Sequence, residues 1–284
     1  MIVRTALALS VASLFCAVPV RAQTHPGLTF DETIHSTRGS NNPNDTSTTS
    51  VLHFTSSRGN VRIDVDGAFP EAGRILGGSR RSIMLFTDSG ATISFINVDQ
   101  KQYISVKPVA MMEGARKMME SMGGRIIVDS GATNLSLDSL GPGPVIDNHP
   151  TLHYRLTTSM RMTMEMMGRN SVIEQHSVDD LYAATDLGDM SDVTSSFNRL
   201  ADIGQAVGLT PEFMERAKAL QRKIRGVPVR ITKVQTVKTD TRTRSVTQDI
   251  EVSNIRRTQV PDSAFAIPAG FSPMAMPTGP TTSQ

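Results

Sequence analysis

The stretch "SVLHFTSSRGNVRIDVDG" (Ser50–Gly67) decides how the chain is read. Val61, Ile63 and Val65 alternate with Arg62, Asp64 and Asp66, the two-residue period of a strand with one apolar face. Arg58-Gly59-Asn60 separates this run from the strand-like "SVLHFTSS", which predicts an antiparallel hairpin. Downstream, "RSIMLFTD" turns at Ser89-Gly90 into "ATISFINVD", and Asp99-Gln100-Lys101 turns again into "QYISVK". Upstream, "LTFDETIHSTRG" (Leu28–Gly39) begins as a strand and runs into the Gly-, Asn- and Pro-rich loop "GSNNPNDTSTTS".

Pro108 stops this meander, and the period changes. In "VAMMEGARKMMESMGG" Met111, Met112, Ala115, Met118, Met119 and Met122 recur at helical spacing, with Glu113, Arg116, Lys117 and Glu120 on the other side. Strands resume at "RIIVDSGATNLSLDSLG" and continue, past "GPGP", in "TLHYRLTTSMRMTMEMMG" and "SVIEQHSVDDLYAATDLG". Two helices follow. The first is "VTSSFNRLADIGQAVG"; the second is "TPEFMERAKALQRKIRG", with Thr210 as N-cap, Pro211 in the first turn and Gly226 at its end. The chain then returns to two long strands and closes on "VPDSAFAIPAGF" (Val260–Phe271), an apolar hook bracketed by prolines. Segregated strands and helices predict one α+β domain, a mostly antiparallel sheet with helices on one face.

The N-terminus, "MIVRTALALSVASLFCAVPVRAQ", has the features of a secretory signal peptide cut between Ala22 and Gln23. Its apolar core is shorter than the roughly 20 residues of a membrane span. Phe15 stands where a lipoprotein signal needs a small residue, and Cys16 lies inside the apolar core. The expected organisation is therefore a signal peptide over 1–22, one domain over 23–272 and a flexible tail over 273–284. The expected location is periplasmic or extracellular, with no stable membrane span after cleavage. Cys16 is the one cysteine, so the processed chain has no thiol for a disulfide, a zinc site or a nucleophile. Processing also removes Arg4 and Arg21 and no acid, leaving 27 basic residues against 27 acidic ones. Such a balance supplies no general attraction to nucleic acid or anionic lipid.

Several segments appear together and in order: "GNVRIDVDG", "TISFINVDQKQYISV", "PVIDNHPTLHYRLTT", "DDLYAATDLGD", "RGVPVRI" and "VPDSAFAIPAGF". Together they resemble the secreted bacterial family known as domain of unknown function 4412, which in turn resembles the LolA/LolB lipoprotein-carrier superfamily. The resemblance covers roughly Leu28 to Phe271. It implies an open, curved half-barrel whose helices lie over the concave face, and a concave face that takes up acyl chains. In that fold Phe265, Ile267 and Phe271 of the hook would pin the exit of the last strand against the rim of the sheet. Pro261 and Pro268 fix the path of the hook. The chain has no tryptophan and offers Leu181-Tyr182 where such families often carry one.

The most unusual stretch is "SMRMTMEMMG". In a strand, Met160, Met162, Met164 and Met166 share one face, opposite Arg161, Thr163 and Glu165. Methionine is an adaptable apolar side chain, suited to a surface that repacks around varied ligands and equally to filling a closed core. The ligand reading makes Leu156, Met160, Met162 and Met164, with Met111, Met118 and Met119 of the helix, the lining of a cavity for an acyl chain, a lipid or a lipidated partner. A second reading uses soft ligands. If Gly168-Arg169-Asn170 form the turn, His176 lies near Met162, and Met160, Met162, Met164 and His176 outline a copper site. A third is a closed-core structural or protein-contact module. "LGGS" and "MGGR" lack the lysine of a phosphate loop, and no G-x-S-x-G nucleophile motif is present. A non-catalytic protein with no cofactor and no nucleic-acid partner is expected.

Overall fold

The computed structural model describes residues 23–39, 47–66, 81–166, 168–187 and 211–274. The segment read as a signal peptide and the helix expected in "VTSSFNRLADIGQAVG" lie outside the described residues. Six strands come first: β1 (Thr24–Gly39), β2 (Ser47–Ser57), β3 (Asn60–Asp66), β4 (Arg81–Thr87), β5 (Thr92–Asn97) and β6 (Gln102–Val106). Helix α1 (Pro108–Ser121) precedes β7 (Arg125–Val128), β8 (Asn134–Pro142), β9 (Thr151–Met166) and β10 (Arg169–Ala184). Helix α2 (Pro211–Gln221), β11 (Val227–Thr239), β12 (Thr243–Pro261) and β13 (Ser272–Pro273) complete the order.

The thirteen strands of the described residues belong to one open sheet, in the order β13-β6-β5-β4-β3-β2-β1-β12-β11-β10-β9-β7, with β8 also paired to β9. Every ladder is antiparallel except the short β13–β6 pair. The long β1–β12 ladder joins a half made of β2 to β6 to a half made of β7 to β11. Gly27 lies in this ladder because a Cβ there would collide with the Ser56 carbonyl and the Val260 side chain. The first hairpin turns tightly because Arg58 and Gly59 both take positive φ, 53° and 75°, as a two-residue turn matched to strand twist requires.

The alternation seen in the sequence builds one apolar face. Phe30, Leu52, Phe54, Val61, Ile63, Val65, Met84, Phe86 and Ile93 face one another across β1 to β5 and form the largest cluster. The rings of Phe30 and Phe54, directly opposite in register, stack at 4.5 Å. Farther along the same face, Tyr154 and Leu181 pack with Leu137, Leu156, Ile224 and Ile231. Burying a side chain of this size contributes roughly 1.5–3 kcal/mol.

The C-terminal hook works on the reverse face. Ile83, Leu85 and Ile96 point away from the main cluster and pack against Ile267 and Phe271. Phe265 is buried in a 3-10 turn over Asp262–Phe265, and Arg62 Nη1 donates to the Ala264 carbonyl at 3.2 Å. After the hook, Ser272 and Pro273 pair with Gln102 and Tyr103 at the edge of β6. The expected pinning of the sheet's rim is thus carried out from the reverse face. The segment read as a tail from residue 273 begins inside the sheet.

Of the two described helices, α1 adjoins β7 and α2 adjoins β8. Met214 of α2 is buried, whereas Met111 and Met118 of α1 and Met122 just after it are exposed. On the side opposite the methionines Arg116 and Glu120 make an i,i+4 ion pair at 2.7 Å. Among the described residues no helix is long and apolar enough to cross a membrane.

Candidate functional site

Strand β9 carries the site. Its even-numbered residues, from Leu152 to Met166, lie on the apolar face of the sheet. In register, Met162 stands between Val128 of β7 and Ile173 of β10, Met164 between Ile126 and Ser171, and Met160 beside Gln175. Met160, Met162 and Met164 are half-buried. They form an apolar patch with Ile126, Val128 and Ile173 that is neither sealed nor fully open. Leu156 lies farther down the strand, packed among Tyr154 and Leu137.

A cavity of about 400 Å³ adjoins the patch. Val128 and Leu135 on the sheet, Phe213 of α2 and the hydroxyl-bearing Ser130 and Thr133 line it, and Glu212 and Arg216 stand at its helical wall. Val128 is opposite Met162 and Leu135 is opposite Thr158, so cavity and methionines share one face of the sheet. The segment between β7 and β8 is held by Asp129, whose carboxylate accepts from the amides of Gly131 and Ala132.

The helix methionines divide. Met119 stands against Gly124, at the seam of α1 with the Glu165 backbone at the end of β9: a Cβ on Gly124 would approach Met119 Cγ to 2.7 Å. Met111 and Met118 are 52% and 63% exposed and do not line the cavity. The structure therefore places Met119 near the β9 end that carries Met160, Met162 and Met164, and leaves the exposed Met111 and Met118 off the cavity.

The copper constellation does not form. The β9–β10 register is not the one a turn at 168–170 would set: Arg169 pairs with Met166 and His176 with Ser159. That difference of three positions in register moves His176 to the opposite face from the methionines. There the Ser159 hydroxyl and His176 Nδ1 lie 2.9 Å apart. Each of the other histidines also has a local partner: His25 with Arg58, His35 with Thr49, His53 with Asp31, His149 with Asp186 and His153 with Asp180. Among the described residues no group of three His, Cys, Asp or Glu side chains could hold a metal ion.

Several charges on the reverse face are paired. Asp180 is held below the usual carboxylate range by its bond to Arg155, with a further contribution from His153. His153 stacks on Tyr182 with ring centroids 4.5 Å apart. The acids on the apolar face include Asp179, which accepts from the Ser177 hydroxyl and stands opposite Lys233, and Glu32, which sequence reasoning passed over. Its signal was the alternation Leu28, Phe30, Glu32, Ile34, in which a carboxylate takes an apolar position.

No protein-family model and no curated protein matches the chain. Among solved structures, the chain is similar to the crystal structure of LolA superfamily protein NE2245 from Nitrosomonas europaea. Sequence identity is 10%, the alignment covers 84% of this chain and 90% of that one, and the TM-score is 0.33. A likeness of that size carries no weight for fold or function here.

Proposed function

We propose that the chain is an exported, non-catalytic binding protein that holds an acyl chain, a lipid or the lipid part of a lipidated partner at the β7–β9 end of its apolar face. The observation that carries this reading is the half-buried patch of Met160, Met162 and Met164 adjoining a cavity walled by Val128, Leu135 and Phe213. Flexible thioethers repack around tails of different shape, and apolar burial at about 25 cal/mol per Å² drives association with few orienting polar contacts. Export rests on the signal-peptide pattern of residues 1–22.

The test is uptake of a fluorescent long-chain fatty acid by the purified protein and by a Met162→Asp, Met164→Asp variant. Saturable binding that the double substitution abolishes, with the circular dichroism of the fold retained, supports the reading. Binding of equal affinity in the folded variant excludes this patch.

A further inference from the structure

A polar band crosses the apolar face between the packed cluster around Tyr154 and the methionines of β9. Cross-strand register sets Ser36 of β1 opposite Gln248 of β12, Gln248 opposite Lys233 of β11, and Lys233 opposite Asp179 of β10. The next row holds Gln235, Ser177 and Thr158. Ser177 is buried, and the others are half-buried. Gln248 Nε2 donates to Ser36 Oγ at 3.2 Å, and the Ser177 hydroxyl donates to Asp179 Oδ1 at 2.8 Å.

Lys233 is the exception in this band. On the reverse face of the same strand, cations directly opposite acids form ion pairs: Arg230 with Glu251 at 3.6 Å, and Lys238 with Glu174 at 3.4 Å. Lys233 has the same placement relative to Asp179 and makes no such pair. Among the described residues its ammonium has neither a hydrogen bond nor an ion pair. A half-buried cation without a partner is costly, and a ligand group of opposite charge offsets that cost.

The neighbouring carboxylate selects which ligand can do so. Residues directly opposite in a ladder have β-carbons about 4.5–5.5 Å apart, so a purely anionic head at Lys233 also meets the charge of Asp179. A head that carries an anion and an ammonium a few bonds apart satisfies both side chains. The band also fixes a direction for the rest of the molecule. Leu156 continues the Lys233 row onto β9, and Met162 lies six residues farther on, about 20 Å along the strand. A long acyl chain covers that span.

We propose that Lys233 and Asp179 form a headgroup site for a zwitterionic phospholipid, with the phosphate on Lys233 and the ammonium on Asp179, and that the site lays the acyl chains along β9 onto the methionines. It rests on the reading of the methionine end as a lipid surface, and it specifies the class of lipid and its orientation.

The experiment offers the purified protein vesicles of equal parts phosphatidylethanolamine and phosphatidylglycerol with matched acyl chains. Lipid carried by the protein after separation from the vesicles is quantified by mass spectrometry. The two lipids share the phosphate and the tails, and only the first has the ammonium. The unsubstituted protein should carry phosphatidylethanolamine over phosphatidylglycerol by about tenfold. Asp179→Asn should bring that ratio toward one, and Lys233→Gln should lower uptake of both lipids, each variant showing the circular dichroism of the intact fold. Equal uptake by the unsubstituted protein, or a preference for phosphatidylglycerol, overturns the headgroup site and leaves the apolar patch standing. A preference that survives in Asp179→Asn, or uptake unchanged in Lys233→Gln, overturns it as well. Uptake of neither lipid overturns the headgroup site together with the lipid reading beneath it.

Discussion

The two halves of the sheet use the same strand alternation to different ends. In β3 to β5 both faces are occupied: Val61 and Val65 pack inward, and Leu85 and Ile96 lie beneath the C-terminal hook, all nearly inaccessible to solvent. Branched aliphatic and aromatic side chains fill this half, and most of them are buried. At the β7–β9 end the corresponding positions hold Met160, Met162 and Met164, which stay half-buried, and Ile127 and Met166 are exposed. Stiff side chains stand where the space is settled, and flexible ones where it is not. In the proposed reading one half is scaffold and the other an apolar surface for a ligand.

Substitutions should reproduce that contrast. Phe54→Ala removes a stacked ring from the sealed cluster and should cost about 3–5 kcal/mol in urea unfolding. Met162→Ala, at a half-buried position, should cost under about 2 kcal/mol. Equal costs would erase the distinction between the halves.

The next effect is pH-dependent and belongs to β1. Glu32 ionises near its ordinary value of 4.5 when unfolded and at about 7 when folded. The folded state therefore keeps its proton longer. Stability is full below about pH 4.5, falls as pH rises through about 7, and levels off above it, a loss of about 3 kcal/mol. Glu32→Gln should flatten that part of the profile, as read by thermal unfolding across pH. A wild-type slope retained in the variant would place the titration elsewhere.

Smaller still is the hook. Phe271→Ala uncovers part of Ile83 and Ile96 and should cost about 1–3 kcal/mol, with accelerated exchange at the β6 edge. Smallest is Met162→Leu with Met164→Leu, which preserves volume and should change stability by less than about 1.5 kcal/mol. If the methionines serve to adapt, that variant should narrow the range of chain lengths bound while still binding one of them.

The sequence discloses the sheet better than it discloses the site. Val61, Ile63 and Val65 announce their face without help, and Arg58-Gly59 announces the turn before them. The Met-rich face of β9 was equally legible, because alternation needs only local order. What it faced was not. The pairing of β9 with β10 depends on whether the connection has two residues or three, and that difference moves His176 across the sheet. Exposure of Met111 and Met118 was hidden for a related reason: helical spacing shows which residues share a side, not whether that side meets anything. The hook was recognisable as apolar and proline-bound, yet its place on the reverse face depends on Ile83, Leu85 and Ile96. The run that holds the first two, "SIMLF", is apolar on both faces and so indicates burial without direction.

The central claim, that the methionine end is a surface for an apolar ligand and not a loosely filled core, is tested most directly by native mass spectrometry of the protein purified without detergent from a bacterial host that exports it. The account predicts a heterogeneous set of lipid-sized adducts, lost on gentle activation and absent from the Met162→Asp, Met164→Asp variant. A single bare mass for the unsubstituted protein, unchanged after incubation with long-chain fatty acids, would contradict it.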